Sequence, residues 1–161
     1  MKLIGRGQFT KCYLNDDGKT CTLKSTCCIK ECMSLGWFPK HRLFPKIVRE
    51  DFQVYTMEYY PRVRSLKKSL IPMDYDFYKI LRDLWQSRPP MSRGVMLIDH
   101  NRDMFDKIPD VFAEERQVLL EALDACSNYG HNINFEISPR NVRVKDSRLV
   151  LMDVFFIPPG M

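Results

Sequence analysis

Phe135-Glu136-Ile137-Ser138-Pro139-Arg140-Asn141, followed further on by Leu151-Met152-Asp153-Val154-Phe155, is the pair of runs that decides how this chain folds. The first run holds an acid and an amide five positions apart. Pro139 stops both helix and ladder, so the two belong to a loop. Between the runs, Val142-Arg143-Val144 and Leu149-Val150-Leu151-Met152 flank Lys145-Asp146-Ser147-Arg148, the pattern of a short hairpin. Asp153 then ends an apolar strand. A carboxylate set among Leu151, Met152, Val154 and Phe155 needs a partner or a metal ion. Carboxylate and amide oxygens are hard donors of the kind Mg2+ takes, so Asn141 and Asp153 are the candidate metal ligands.

The front of the chain carries parts that complement these. Gly5-Arg6-Gly7-Gln8-Phe9 opens the first strand, where glycines let backbone N–H groups approach a phosphate and the aromatic caps the turn. Two glycines and a phenylalanine also suit a plain turn. Residues 8–14 and 20–25 read as strands joined by Asn15-Asp16-Asp17-Gly18, a strong turn signal. Lys24 ends the second strand and is expected to point into a cleft; a surface lysine is the plainer alternative. Residues 28–35 read as a short helix that Gly36 stops. Glu31 falls on its inward face and would pair with Lys24, or else stand as a solvated helix acid. Residues 47–48 and 53–58 read as two more strands, and Tyr59-Tyr60-Pro61 breaks the pattern.

Beyond that break the chain turns helical. Residues 73–86, after Pro72, space Met73, Phe77, Ile80, Leu81, Leu84 and Trp85 on one helix face. Residues 110–129 form the clearest helix, with Phe112, Leu119, Ala122, Cys126 and Tyr129 inward and Gly130 beyond. The stretch 87–109 holds prolines 89, 90 and 109 with Gly94 and reads mostly as loop. The expected class is α+β, one domain of 161 residues: a strand-rich part over 1–58, a hinge over 59–64 and a reduced helical part over 65–161.

Composition narrows the function classes. Apolar residues make up 45% of the chain, too many for disorder. No apolar run spans a bilayer and no signal peptide is evident, so the expectation is cytoplasmic, with no membrane partner. Cysteines 12, 21, 27, 28, 32 and 126 crowd toward the front without Cys-x-x-Cys spacing or a nearby histidine, which suits reduced thiols better than a disulfide framework or zinc. Residues 1–80 hold fifteen Lys/Arg and eight Asp/Glu, a net +7; residues 81–161 hold ten and twelve, a net −2. A basic front half suits nucleotide phosphates, acidic proteins or nucleic acid. Its densest cluster, Arg62, Arg64, Lys67 and Lys68, lacks the interleaved aromatics of a single-strand platform, so direct nucleic-acid binding is not expected.

In order and spacing, Gly5/Gly7/Phe9, Lys24, Glu31, Glu58-Tyr59-Tyr60, Glu136-x-x-Pro139-x-Asn141 and Asp153-Val154-Phe155 resemble the protein kinase superfamily over nearly the whole chain. More narrowly, the chain is similar to the short early serine/threonine kinases of lytic short-tailed (podovirus) bacteriophages. The resemblance implies a minimal two-lobe kinase-like fold with a truncated C-lobe and no activation loop. It implies ATP and Mg2+ as cofactors. Gly5, Gly7, Phe9, Lys24, Glu31, Glu58 and Tyr60 would hold nucleotide, Asn141 and Asp153 metal, and Glu136, Lys24 and Asp153 would do the chemistry. It also implies host bacterial proteins of transcription and RNA processing as substrates or targets, in a role of host shutoff.

Several positions depart from that pattern. Glu136 replaces the catalytic aspartate, and a shift of about 1 Å in the carboxylate can cost about 100-fold in rate. Asn134-Phe135 stands for His-Arg and Ser138 for the lysine that steadies the γ-phosphate, a charge Arg140 or Arg143 could supply. The metal run lacks glycine. Eight residues after Asp153 leave no room for an activation loop, so the expectation is a kinase that is always on or switched by a partner. The alternative reading is a pseudokinase that binds and redirects a host factor without phosphotransfer. The enzymatic reading requires residues 24 and 153 to share one hollow.

Overall fold

The computed structural model describes residues 1–159. The last two positions of the helical part expected over 65–161 lie outside the described residues. Five strands form one antiparallel sheet in the order β1-β2-β3-β5-β4: β1 (Lys2–Arg6), β2 (Thr10–Leu14), β3 (Thr20–Ser25), β4 (Val48–Asp51) and β5 (Val54–Glu58). The run Asn15–Gly18 closes the β2–β3 hairpin, with Gly18 at φ +69°. Helix α1 (Cys28–Ser34) leaves the end of β3 directly. The α+β class expected from the sequence is what the structure shows.

After β5 the chain runs irregularly to a one-turn helix, α2 (Leu66–Ser69), whose first turn Ser65 caps through its side chain. Helices α3 (Pro72–Gln86), α4 (Leu97–Asp106) and α5 (Ala113–Cys126) follow. Helix α4 corrects the expectation of a loop over 87–109. Prolines 89 and 90 do break the chain, but they sit ahead of the helix. Leu97–Asp106 then buries Ile98, Asn101, Met104 and Phe105 at helical spacing.

Two small antiparallel pairs finish the chain. Strands β7 (Val142–Lys145) and β8 (Arg148–Leu151) form the expected hairpin. Asp146 and Ser147 both adopt positive φ (+50° and +64°), as a tight two-residue hairpin turn requires. Strand β6 (Asn134–Phe135) pairs with β9 (Phe155–Phe156), so the residues just before Glu136 lie beside those just after Asp153.

The larger core joins the helices to the tail. Phe77, Leu81, Phe105, Leu119, Leu123, Phe135, Leu149 and Phe155 are buried in it. It also takes in Ile29 and Cys32 of α1 and Phe38, Leu43 and Phe44 beyond, so α1 packs on the helical part as well as following the sheet. Phe135 and Phe155 stack on one another and on Phe105 with ring centroids 4.9–6.1 Å apart. A smaller core lines one face of the sheet: Cys21, Leu23, Ile47, Tyr55 and Met57, with Cys12, Met33, Tyr60 and Met152 packed against them.

Among the described residues no helix is long and apolar enough to cross a membrane. One buried carboxylate ties the helical part together. Asp74, in the first turn of α3, accepts two bonds from the Arg148 guanidinium (3.0 and 3.2 Å) and one from the Leu149 N–H (2.8 Å). Arg42 lies 3.7 Å away. Burial alone would raise this carboxyl, but the Arg148 fork, the Leu149 N–H and Arg42 together hold it below the ordinary aspartate value.

Candidate active site

The backbone brings the two decisive runs together. The Glu136 N–H donates to the Val154 carbonyl (2.9 Å), and the Met152 N–H donates to the Asn141 carbonyl (2.7 Å). The loop 136–141 is thereby laced on both sides of Asp153. Within the loop, the Asn141 N–H donates to the Ser138 carbonyl (2.9 Å). Its side-chain amide nitrogen faces the Glu136 carbonyl at 3.4 Å. That contact occupies the nitrogen end and leaves the amide oxygen as the free end. Asp153 takes a left-handed backbone, φ +52°, which costs about 1–2 kcal/mol for an L-residue, so its surroundings hold it there.

The cation that meets Asp153 is Lys30, on α1. Its ammonium donates to the Asp153 carboxylate, and its side chain is almost wholly buried (6% exposed) against an acid that is 54% exposed. Burial pulls the Lys30 ammonium below the ordinary lysine value, while the nearby Cys27 and Cys12 thiols pull it back up. Two parts of the expected site lie elsewhere, and the requirement that residues 24 and 153 share one hollow is not met, since Lys24 lies on the far face of β3 and Asp153 pairs with Lys30. Lys24 is exposed and stands over the Tyr13 ring at 5.2 Å, outside the core of the sheet's inner face. The cause is the period of two along β3: Cys21, Leu23 and Ser25 are buried, whereas Thr20, Thr22 and Lys24 share the other face. Glu31 is half-buried, and among the described residues it makes no ion pair with Lys24 or any other cation. The signal that could have found Lys30 is that alternation, which assigns Lys24 to the threonine face. α1 is then the next element able to send a lysine inward.

The remaining expected residues fall as follows. Gly5 lies inside β1 opposite Cys12, and Gly7 begins the turn to β2, its N–H donating to the Thr10 carbonyl (2.8 Å). Neither has positive φ, and a Cβ on either meets its nearest neighbour at 3.7–3.8 Å, so the fold itself does not require glycine there. The Phe9 carbonyl accepts from the Thr26 N–H (3.0 Å), which ties the turn to the start of α1. The Glu58 carboxylate is turned to Lys145 (2.7 Å) and to the Tyr60 hydroxyl (3.3 Å). The Tyr60 ring packs against the inner sheet face, and burial together with Glu58 raises its hydroxyl.

That inner face is apolar and includes two neighbouring thiols. The Cys12 thiol is lowered to about 7, chiefly by the neighbouring Cys21 thiol and further by Arg143 and Lys30. Cys21 is shifted upward by its neighbour Cys12 and by burial. Met152, immediately before Asp153, reaches this face from the opposite side. Asn141 and Asp153 carry the oxygen donors that Mg2+ takes, usually one or two from protein with phosphates and water completing its shell, but the Asp153 carboxylate is already met by Lys30. Among the described residues no group of three or more His, Cys, Asp or Glu could hold a metal by itself.

Two cavities flank this centre. One, of about 640 Å³, lies between β5 and the β7–β8 hairpin and is lined by Met57, Glu58, Tyr60, Lys145 and Arg148 among others. The other, of about 410 Å³, opens beside Pro139 and Arg140 of the loop.

No protein-family model matches the sequence, and no curated protein is similar to it. Solved structures do superpose on it. One is an APH(2'')-IIa in a ternary complex with streptomycin and ATP, at 11% identity and a TM-score of 0.42 over 97% of this chain. A second is the aminoglycoside phosphotransferase APH(2'')-Ib with ADP bound, at 13% identity and a TM-score of 0.40 over 97% of this chain. A third is the gentamicin complex of APH(2'')-IIa, at 11% identity and a TM-score of 0.42 over 98% of this chain. The chain spans 66% of the length of each of these proteins. At such identity and superposition, what they bind says nothing of this chain, whose chemistry must be argued from its own residues.

Proposed function

We propose that the protein is an ATP-dependent phosphotransferase acting on a protein hydroxyl, with Lys30 in the role expected of Lys24. The observation that carries this reading is the meeting of the buried Lys30 ammonium with Asp153 beside the 136–141 loop. A folded protein gains little from burying a lysine against a half-exposed acid, whereas a triphosphate site needs that cation in a dry place. In this reading Mg2+ held by Asn141 and Asp153 would neutralise charge on the phosphates. Lys30 orients the phosphates, and Glu136 accepts the proton of the acceptor hydroxyl. The acceptor oxygen bonds to the γ-phosphorus as its bond to the ADP oxygen breaks. Serine or threonine acceptors on host bacterial proteins, in the host cytoplasm, are the substrates the phage-kinase resemblance implies. An amine-rich acceptor such as gentamicin is not part of the proposal, because the cavity beside the loop is lined by cations.

The test joins melting with transfer. ATP with Mg2+ should raise the melting temperature with a concentration dependence, and labelled phosphate should pass to a protein acceptor. Both should be lost in Asp153→Asn. Absence of both effects in the unmodified protein would end the proposal. A second reading, a binding protein on this scaffold without phosphotransfer, is favoured by the same ion pair, since Lys30 already neutralises the acid that would hold the metal. It predicts no nucleotide-dependent shift, and partner capture that is unchanged in Asp153→Asn.

A further inference from the structure

We infer that the groove beside the 136–141 loop binds an acidic, Asp/Glu-rich segment of a polypeptide and presents it to the site. This rests on the phosphotransferase reading only for its purpose. The groove itself stands on its own residues. It has a volume of about 410 Å³ and is lined by Arg62, Arg64, Lys67, Arg82 and Arg140, with no acidic residue in the lining. Among the described residues only Arg82 of these five has a carboxylate within reach, Asp83 at 3.2 Å. Among the described residues other exposed cations, Lys2, Lys19, Lys68 and Lys107 among them, also meet no acid; what distinguishes Arg62, Arg64, Lys67 and Arg140 is that they line one hollow. Four unpartnered cations around one hollow repel each other, and an anionic ligand relieves that repulsion. The half-buried Arg143 beside them, whose guanidinium donates to the Arg140 carbonyl at 3.0 Å, is lowered by burial and then by Arg62.

Location gives the groove its use. Arg140 belongs to the loop that carries Glu136 and Asn141, so a chain lying in the groove passes next to the acceptor position. A polycationic acceptor would meet like charge. Nucleic acid supplies negative charge too, but single strands are held by stacking bases on open aromatic faces. Here both tyrosines of the groove are already engaged: Arg82 covers the Tyr78 ring at 5.7 Å and Lys79 the Tyr75 ring at 4.9 Å. Tyr78 is also only 4% exposed. A short hollow with spaced cations and no free ring suits carboxylate side chains.

The experiment reads binding without nucleotide. A fluorescent decapeptide of Asp and Glu around one Ser is titrated with the whole protein by anisotropy, alongside a neutral Gln-rich peptide and a single-stranded oligonucleotide of equal charge. The acidic peptide should bind, the neutral one should not, and added salt should weaken binding. Arg64→Glu with Lys67→Glu should weaken it by about tenfold or more, since both contacts reverse sign. Lys2→Glu with Lys107→Glu, exposed charges away from the groove, should leave it within about twofold. Both pairs lie on the surface, and their melting temperatures confirm folding. The inference is overturned if the acidic peptide does not bind, if the two pairs weaken it equally, or if the oligonucleotide binds as tightly through Arg64 and Lys67. An ATP-dependent melting shift measured in the same samples separates the two readings: peptide binding without any shift supports the groove while removing the phosphotransferase, and a shift without peptide binding removes the groove alone.

Discussion

Replacing Lys30 by methionine should make the protein more stable and less able to bind nucleotide. Methionine has nearly the length of lysine and no charge, so the packing of α1 on the larger core is kept. The stability arithmetic has two sides. A unit pair about 4 Å apart gains about 4 kcal/mol at an effective dielectric near 20. Asp153 is 54% exposed, so solvent screens that gain to about 1–2 kcal/mol. Against it stands the desolvation of an ammonium whose side chain is 6% exposed, on the order of several kcal/mol. Asp153 stays hydrated when its partner is removed, so no buried charge is orphaned. The net expectation is a gain of about 1–3 kcal/mol, or about 2–12 °C in melting temperature for a chain of this size. Nucleotide should act in the opposite sense. At about 100 times its dissociation constant, ATP with Mg2+ should add about 2.7 kcal/mol to the unmodified protein and nothing to Lys30→Met. Differential scanning fluorimetry with and without ATP reads both effects. A fall of several degrees in Lys30→Met without ligand would refute the reasoning, because it would make the ion pair structural. An ATP shift that survives the substitution would refute the role given to Lys30.

Asp74→Asn should cost about 3–5 kcal/mol, lowering the melting temperature by about 6–20 °C, because three donors on Arg148 and Leu149 lose their ionised acceptor. Since the folded carboxyl titrates below its unfolded value, this contribution is complete above the ordinary aspartate value and is lost as pH falls through the lower folded one; acid unfolding of the Asn variant should be correspondingly flatter. Iodoacetamide followed by peptide mass spectrometry should find Cys12 alkylated first of the six thiols, half-ionised near pH 7, and Cys21→Ala should move that midpoint up toward the ordinary cysteine value. Gly7→Ala should leave the melting temperature within about 2 °C, since its Cβ meets nothing closer than 3.8 Å and its N–H keeps its bond to the Thr10 carbonyl.

The fold was legible where local chemistry repeats a period. The threonine–cysteine alternation of β3, the Asn15–Gly18 turn, the α3 and α5 stripes and the β7–β8 hairpin each announce themselves within about ten residues. Helix α4 was hidden because prolines 89 and 90 and Gly94 stand just ahead of it and drew the whole stretch into one loop. β1 was hidden because all five of its residues are exposed, so it shows no buried face to read. The tail half of the candidate site was legible only in its placement: Asp153 does lie beside the 136–141 loop, but its carboxylate is 54% exposed, so the demand of a buried acid for a partner does not apply to it. The identity of the cation that meets it was not legible. Which lysine faces inward depends on how a seven-residue helix leaves β3, and that angle is fixed by Ile29 and Cys32 packing on α5 and the tail, which no local window contains.

Several departures from good folding practice lie close together, while others, the buried nitrogens of Arg42 and Trp85 that lack a hydrogen-bond partner among the described residues and the left-handed Gln53, lie outside that group. Lys30 is a lysine buried at 5% exposure. Asp153, its partner, holds a left-handed backbone without being glycine. The Ser138 hydroxyl in the same loop is buried with no hydrogen-bond partner among the described residues. Arg62, Arg64, Lys67 and Arg140 crowd one hollow next to it. Each costs stability, and a fold selected for stability alone would scatter or repair them. The aromatic core around Phe105, Phe135 and Phe155 supplies the rigidity that lets one region carry the cost. Asp74 carries the contrast. It is as buried as Lys30, yet it is fully bonded and explained by the packing it joins. Buried charge is therefore a pointer to the proposed site only where the fold leaves it under-satisfied, and by that criterion the proposed site runs from α1 through the 136–141 loop to the basic groove.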